Sequence, residues 1–213
     1  MALALSAGLF VLWWALGTGA TLAWFSDVDT VRNEFQIGLL DLDVSYRNTY
    51  MDGYKPLQGT TEAFYDEALY EPGYTQVVYL KIENKGDVAF DYKVALTVAD
   101  EVPGVDMWNK QFLLSDYLRY GIVLAPTEAQ LQEMVIDRLS ARYQAGDDWN
   151  AIGTWSKTSE DPLPAGEGSC HYAALIVYMP EDVDNAANNR GVDVPQVAIG
   201  IKVFAQQAGA PME

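Results

Sequence analysis

Cys170 and His171 are the only cysteine and the only histidine of this 213-residue chain, and they are adjacent. A thiol next to an imidazole suggests a nucleophile with its general base. The residues that follow are those of a strand, and neighbours along a strand point to opposite faces. Such a pair cannot share a proton, so the expected roles are a buried thiol and a hydrogen-bonded imidazole. The chain contains no HExxH pair for a helical zinc site and no GxSxG nucleophile elbow; Gly166-Glu167-Gly168-Ser169 only approximates the latter. With one His and one Cys, a zinc site would need carboxylates for its remaining ligands. The other candidates are acidic. Asp27 with Asp29, Asp41 with Asp43, and Glu181, Asp182 and Asp184 with Asp193 supply oxygen ligands of the kind Ca²⁺ takes. None has EF-hand spacing, and solvated acidic loops are the simpler reading. The expectation is a chain that is not an enzyme and needs no cofactor, Ca²⁺ being the one ion its loops suit.

The elements that would carry these residues are mostly strands. Leu40, Leu42 and Val44 alternate with Asp41 and Asp43, the period of a strand with one face in a core. Residues 45–73 read as a long loop or insertion in which Tyr46, Tyr50, Tyr54, Tyr65 and Tyr70 are scattered without a period. Thr75 to Asn84 predicts a strand with Val78, Leu80 and Ile82 on one face. After the turn Asn84-Lys85-Gly86-Asp87, Val88 to Val98 predicts the next, and the two are expected to pair as a hairpin. Pro103-Gly104 breaks the pattern. Phe112 to Leu118 suits a short helix and Ile122 to Leu124 a strand. Thr127 and Gln130 form a capping box for a helix whose apolar stripe is Leu131, Met134, Val135 and Leu139, ending near Gly146. Trp149 and Trp155 flank a short strand. His171 to Met179 is apolar on both faces, as for a strand between layers. Gln196 to Gln206 is the last strand, with Val197, Ile199, Ile201 and Val203 inward, and a frayed tail follows over residues 208–213. This pattern predicts a mainly β fold, an antiparallel jelly-roll-like sandwich with at least one inserted helix.

Thirty acidic against thirteen basic residues give a net charge of −17. Nucleic acid and anionic membranes are poor partners for such a surface. The lone cysteine excludes an internal disulfide. Met1 to Ala23 carries no charge and loosens into Gly17-Thr18-Gly19-Ala20, with Thr21 and Ala23 small at the −3 and −1 positions of a cut between Ala23 and Trp24. This predicts a signal peptide over residues 1–23, so that the membrane is met only by the precursor. The alternative is a retained anchor, since the run is about long enough to span a bilayer. An arm, residues 24–34, and a domain over residues 35–207 with a Tyr-rich insertion at about 45–70 follow.

From Gly17 to Val44 the sequence resembles the TasA/camelysin family of secreted proteins. The resemblance lies in the glycine-rich exit, in Trp24-Phe25-Ser26-Asp27, and in the motif Phe35-x-x-Gly38-x-Leu40-Asp41-Leu42. It continues through Glu71-Pro72-Gly73, Ile82-Glu83-Asn84-Lys85-Gly86 and the last strand. The resemblance implies export through a SipW-type signal peptidase and self-assembly into extracellular or biofilm-matrix fibres. It further implies that the arm, with Trp24, Phe25, Val28, Val31 and Phe35 as its apolar residues, inserts as a strand into the next subunit of a head-to-tail filament, with accessory matrix proteins as further partners. An exposed sheet edge is a ready acceptor for such a strand. Two alternatives stand beside this expectation. One is a secreted metal-dependent endopeptidase of the camelysin type, a label some family members carry. The other is a monomeric surface adhesin that uses the Tyr-rich segment.

Overall fold

The computed structural model describes residues 39–58, 63–64, 71–141, 150–151, 156–183 and 188–210. The expected signal peptide, the arm, Phe35 and Gly38 lie outside the described residues. In chain order the elements are β1 (Leu42–Asn48), β2 (Lys55–Pro56), β3 (Thr75–Asn84), β4 (Phe90–Val102), β5 (Gly104–Val105), β6 (Gln111–Phe112), α1 (Leu114–Tyr117), β7 (Arg119–Ala125), α2 (Glu128–Ala141), β8 (Asn150–Ala151), β9 (Ser156–Thr158), β10 (Cys170–Tyr178) and β11 (Gln196–Gln207). Every pairing among the described residues is antiparallel. One sheet has the order β2-β1-β3-β10-β7-β8, a second β11-β4-β9, and β5 and β6 form a small hairpin. The chain is a mainly β, antiparallel sandwich with an inserted helix, as its alternation predicts. Among the described residues no helix is long and apolar enough to cross a membrane.

The core between the two sheets is built from alternate residues. Val78, Leu80 and Ile82 of β3 and Ala173, Leu175 and Val177 of β10 meet Phe90, Tyr92, Val94 and Leu96 of β4. β3 and β10 are also apolar on their other face, because α2 lies there. Leu131 and Val135 cover Val77, Val123, Ala174 and Ile176, with Leu139 at the margin. Met134, expected in the same stripe, is exposed. It sits one residue, about 100°, around the helix from Val135, and a stripe about 100° wide admits only some of the apolar positions. Thr127 caps α2 as its box predicts. Its Oγ1 accepts the Gln130 N–H at 3.3 Å, and its hydroxyl donates to Gln130 Oε1 at 3.0 Å. The helix runs to Ala141; residues 142–149, where its end was expected, lie outside the described residues.

The expected β3–β4 hairpin does not form. β3 lies between β1 and β10, and β4 lies between β11 and β9 in the other sheet. Alternation establishes that each segment is a strand but not which strand it pairs with. The turn itself shows why the chain crosses over. Asn84, almost wholly buried, donates through Nδ2 to the carbonyls of Val88 at 2.8 Å, Pro164 at 3.1 Å and Leu163 at 3.3 Å, and its Oδ1 accepts the Gly86 N–H at 3.0 Å. The chain is thereby tied at a corner rather than folded back on itself.

Three boundaries also shift. β1 starts at Leu42 and continues to Asn48, so Leu40 stands outside the strand and exposed, and the first part of the expected insertion is strand. Tyr46 is the next inward residue after Leu42 and Val44 and is buried in the core. β4 extends to Val102 and stops at the Pro103 breaker. The tail begins in ordered form: Ala208 N–H donates to the Ala89 carbonyl at 3.1 Å, and Gly209 N–H to Asp91 Oδ2 at 3.2 Å.

Candidate functional site

The described chain begins at a clamp. Leu39 to Asp41 lies against the turn between β3 and β4. Lys85 N–H donates to the Asp41 carbonyl at 2.9 Å, Asp87 N–H to the Leu39 carbonyl at 3.1 Å, and the Leu39 N–H to Asp87 Oδ1. The two backbones meet across Gly86. A methyl on its Cα would fall within contact range of the Leu39 carbonyl and 2.8 Å from the Asp41 nitrogen. Gly86 is therefore needed for close approach of backbone, not for an unusual φ. Beyond the clamp Leu42 enters the register of β1 opposite Asn84. Leu39 is thus a fixed root at one end of the sandwich. Glu83, beside it, receives Lys85 Nζ and Lys81 Nζ, each at 3.1 Å. Burial acts to raise its carboxyl, but the two ammonium groups outweigh burial and hold it below the usual range.

A second cluster lies on the outer face of the larger sheet, at the start of α2. Arg47 Nη2 meets Glu128 Oε1 at 3.0 Å, and the Tyr54 hydroxyl donates to the same oxygen at 3.1 Å. The Arg47 guanidinium stacks 4.9 Å from the Tyr79 ring centre and 5.4 Å from that of Tyr54. Tyr172 stands 6.4 Å from Tyr54, and the Cys170 thiol donates to its hydroxyl at 3.6 Å. Burial first, then the charge of Glu128, push the Tyr54 hydroxyl up to about 12. Contact with Cys170 and then burial raise Tyr172 as well. The cluster pins part of the Tyr-rich segment to the domain. Tyr46 is core and Tyr54 is held by Glu128, so two of the five tyrosines expected on an adhesin surface are engaged within the fold; Tyr65 and Tyr70 lie outside the described residues.

Cys170 and His171 diverge as strand geometry requires. Cys170 points to the outer face at Tyr172. His171 points inward, its Nδ1 3.3 Å from the hydroxyl of the buried Tyr92 and the two rings edge to face at 5.7 Å. Burial pushes the imidazole below its usual value, opposed by the charge of Asp161. The acidic candidates are dispersed. Glu181 and Asp182 lie in a single helical turn after β10, Asp193 follows Asn189, whose side chain donates to its carbonyl at 2.8 Å, and Asp184 lies outside the described residues. Among the described residues no group of three or more His, Cys, Asp or Glu side chains is placed to hold a metal ion.

The residues missed by sequence reasoning are Gly86, Asn84 and Arg47. Asn84 and Gly86 form the Asn-x-Gly of a turn, which was visible. Their partners, 45 to 80 positions away, were not. No protein-family model matches this chain, and a search of curated proteins finds no match.

Proposed function

We propose that this chain is a secreted structural protein that assembles head to tail into extracellular or biofilm-matrix fibres, the segment before Leu39 of one subunit adding as a strand to the next. The observation that carries this reading is the clamp. Leu39–Asp41 is bonded to Lys85 and Asp87 of the β3–β4 turn, so the backbone at Leu39 is fixed at the end of the sandwich. A donor segment needs such a root, because a loosely tethered one loses affinity to chain entropy. A second feature favours it. β11 is the end strand of its sheet, twelve residues long, and among the described residues it pairs with β4 alone. An edge of that length offers main-chain donors and acceptors to an added strand. A filament follows when the contact is heterologous and does not close.

The test uses chain beginning at Trp24, compared with chain from which Trp24 to Asn33 is deleted. Negative-stain images of the first are expected to show fibres and of the second only monomers. Fibres from both would overturn strand donation; fibres from neither would overturn the structural role itself.

A further inference from the structure

Among the described residues the two large sheets end in β2, β8, β9 and β11. β2 and β8 are two residues each, and β2 is Lys55-Pro56. Edges so short offer few main-chain groups to another strand, and Pro offers no donor. β9 alone is also short, but the chain after it continues to cover the edge of β4. Ser156, Lys157 and Thr158 stand in register with Ala95, Val94 and Lys93. Ser159 then engages both main-chain groups of Tyr92. Its N–H donates to the Tyr92 carbonyl at 2.8 Å, and its hydroxyl accepts the Tyr92 N–H at 3.1 Å. Leu163 does the same for Phe90, its N–H donating at 2.8 Å and its carbonyl accepting at 3.1 Å. The Leu163 side chain is wholly buried in the core, and the carbonyls of Leu163 and Pro164 both receive Asn84 Nδ2. Ser156–Leu163 is thus a strap stitched to β4 at both ends.

The span between its anchors is built against pairing. Glu160, Asp161 and Pro162 stand opposite the single residue Asp91, so the strap bulges there, and all three are exposed. A bulge interrupts the ladder and twists the edge away, and Pro has no N–H to give. The two carboxylates repel another copy of a chain whose net charge is −17. β11, the other edge of the same sheet, is the contrast. Its twelve residues include no Pro, no carboxylate and one charge, Lys202, and among the described residues it pairs with β4 alone. We infer that Ser156–Leu163 is a built-in cap, which denies the second edge of β4 to a strand from another copy and confines strand addition to β11. This rests on the fibre reading and gives each subunit one accepting edge, as an unbranched filament requires.

The test uses chain beginning at Trp24. Glu160→Thr/Asp161→Val/Pro162→Thr removes the charges and the proline of the bulge and leaves Ser159 and Leu163 in place. Pro162→Thr alone is the milder variant, and circular dichroism verifies that each folds. Hydrogen exchange on wild type is expected to show the Ser159 and Leu163 amides protected, since both bond to β4. Negative-stain images with mass-per-length measurement are expected to show single fibres from wild type and fibres joined side by side from the triple variant. Its mass per length should be about doubled, as each subunit gains a second accepting edge. If the triple variant does not fold, Pro162→Thr decides, with a smaller rise in the same direction. Folded variants whose fibres keep the wild-type mass per length overturn the cap and leave the fibre reading standing. Ser159 and Leu163 amides that exchange as fast as those of an exposed loop overturn the cap as well. A wild type that stays monomeric while the triple variant associates in sedimentation velocity upholds the cap and overturns the fibre reading. Monomers from every chain overturn both.

Discussion

Gly86→Ala is the most direct probe of the clamp. The added methyl meets backbone on the opposite side, the Leu39 carbonyl and the Asp41 nitrogen, so no side chain can swing away to admit it. Two outcomes are open to the molecule. Leu39–Asp41 can detach, which forfeits the Lys85–Asp41 and Asp87–Leu39 backbone bonds, about 1 kcal/mol each. The smaller conformational freedom of alanine in the unfolded chain returns about 0.7 kcal/mol of this. Alternatively the turn deforms around the methyl at an overpacking cost of about 1–3 kcal/mol. The cheaper route sets the loss, so the expected destabilisation is about 1–2 kcal/mol, a fall in Tm of about 2–8 °C for a chain of this size. Gly53→Ala is the control. Nothing lies within 4 Å of the position its methyl would take, and its φ is not in the left-handed range. It is expected to be neutral or to stabilise by about 0.5 kcal/mol. Urea unfolding gives the energies, and hydrogen exchange at the Lys85 and Asp87 amides reports the clamp itself. A Gly86→Ala chain as stable as wild type, with both amides still protected, would refute the reasoning.

Other substitutions and titrations bear on the remaining contacts. Asn84→Ala strands the carbonyls of Val88, Leu163 and Pro164 at a buried corner; a loss of about 3 kcal/mol in urea unfolding is expected, and an effect below about 1 kcal/mol would show that water replaces the amide. Tyr54, raised to about 12 in the fold from 10.0, keeps its proton when the unfolded chain has lost it. The stability it contributes is present below pH 10 and is lost as pH rises through 12. Carbon NMR of labelled tyrosine should show the Tyr54 signal among several late ionisations and moving earlier in Glu128→Gln, and an unchanged Tyr54 titration would remove Glu128 from the cluster. His171 is depressed below 6.5 by burial. Its contribution is therefore present above pH 6.5 and lost as pH falls, so His171→Gln should unfold with a shallower acid dependence than wild type, and parallel acid limbs would refute this.

How far the sequence foretold this molecule depends on the range of the interaction. β10 was legible because an apolar run on both faces means layers on both sides, and α2 because Thr127 and Gln130 signal a helix start within four residues. β1 was partly legible: the alternation through Leu42 and Val44 continues to Tyr46, and the strand with it, but tyrosine among turn-forming residues reads as loop. Pairing was not legible. β3 and β4 are consecutive, well patterned and joined by a turn, yet the corner is decided by Leu39, Leu163 and Pro164, none of them local to it. The Arg47–Glu128 pair likewise depends on segments brought together only by the fold. Opposite faces for Cys170 and His171 followed from strand period alone.

The chain enters the sandwich and leaves it at the same end. Leu39 is bonded to Asp87, and two residues further on Ala89 receives Ala208. In the fibre proposed above, tension passed from one domain to the next would have no covalent path straight through each one. It must cross by the hydrogen-bond ladders, chiefly the twelve-position register of β4 and β11, loaded along their strands. Resistance to stretching would then be set by how many ladder bonds break together, and the register shift at Ala198–Ile199 is the place where that ladder would part first.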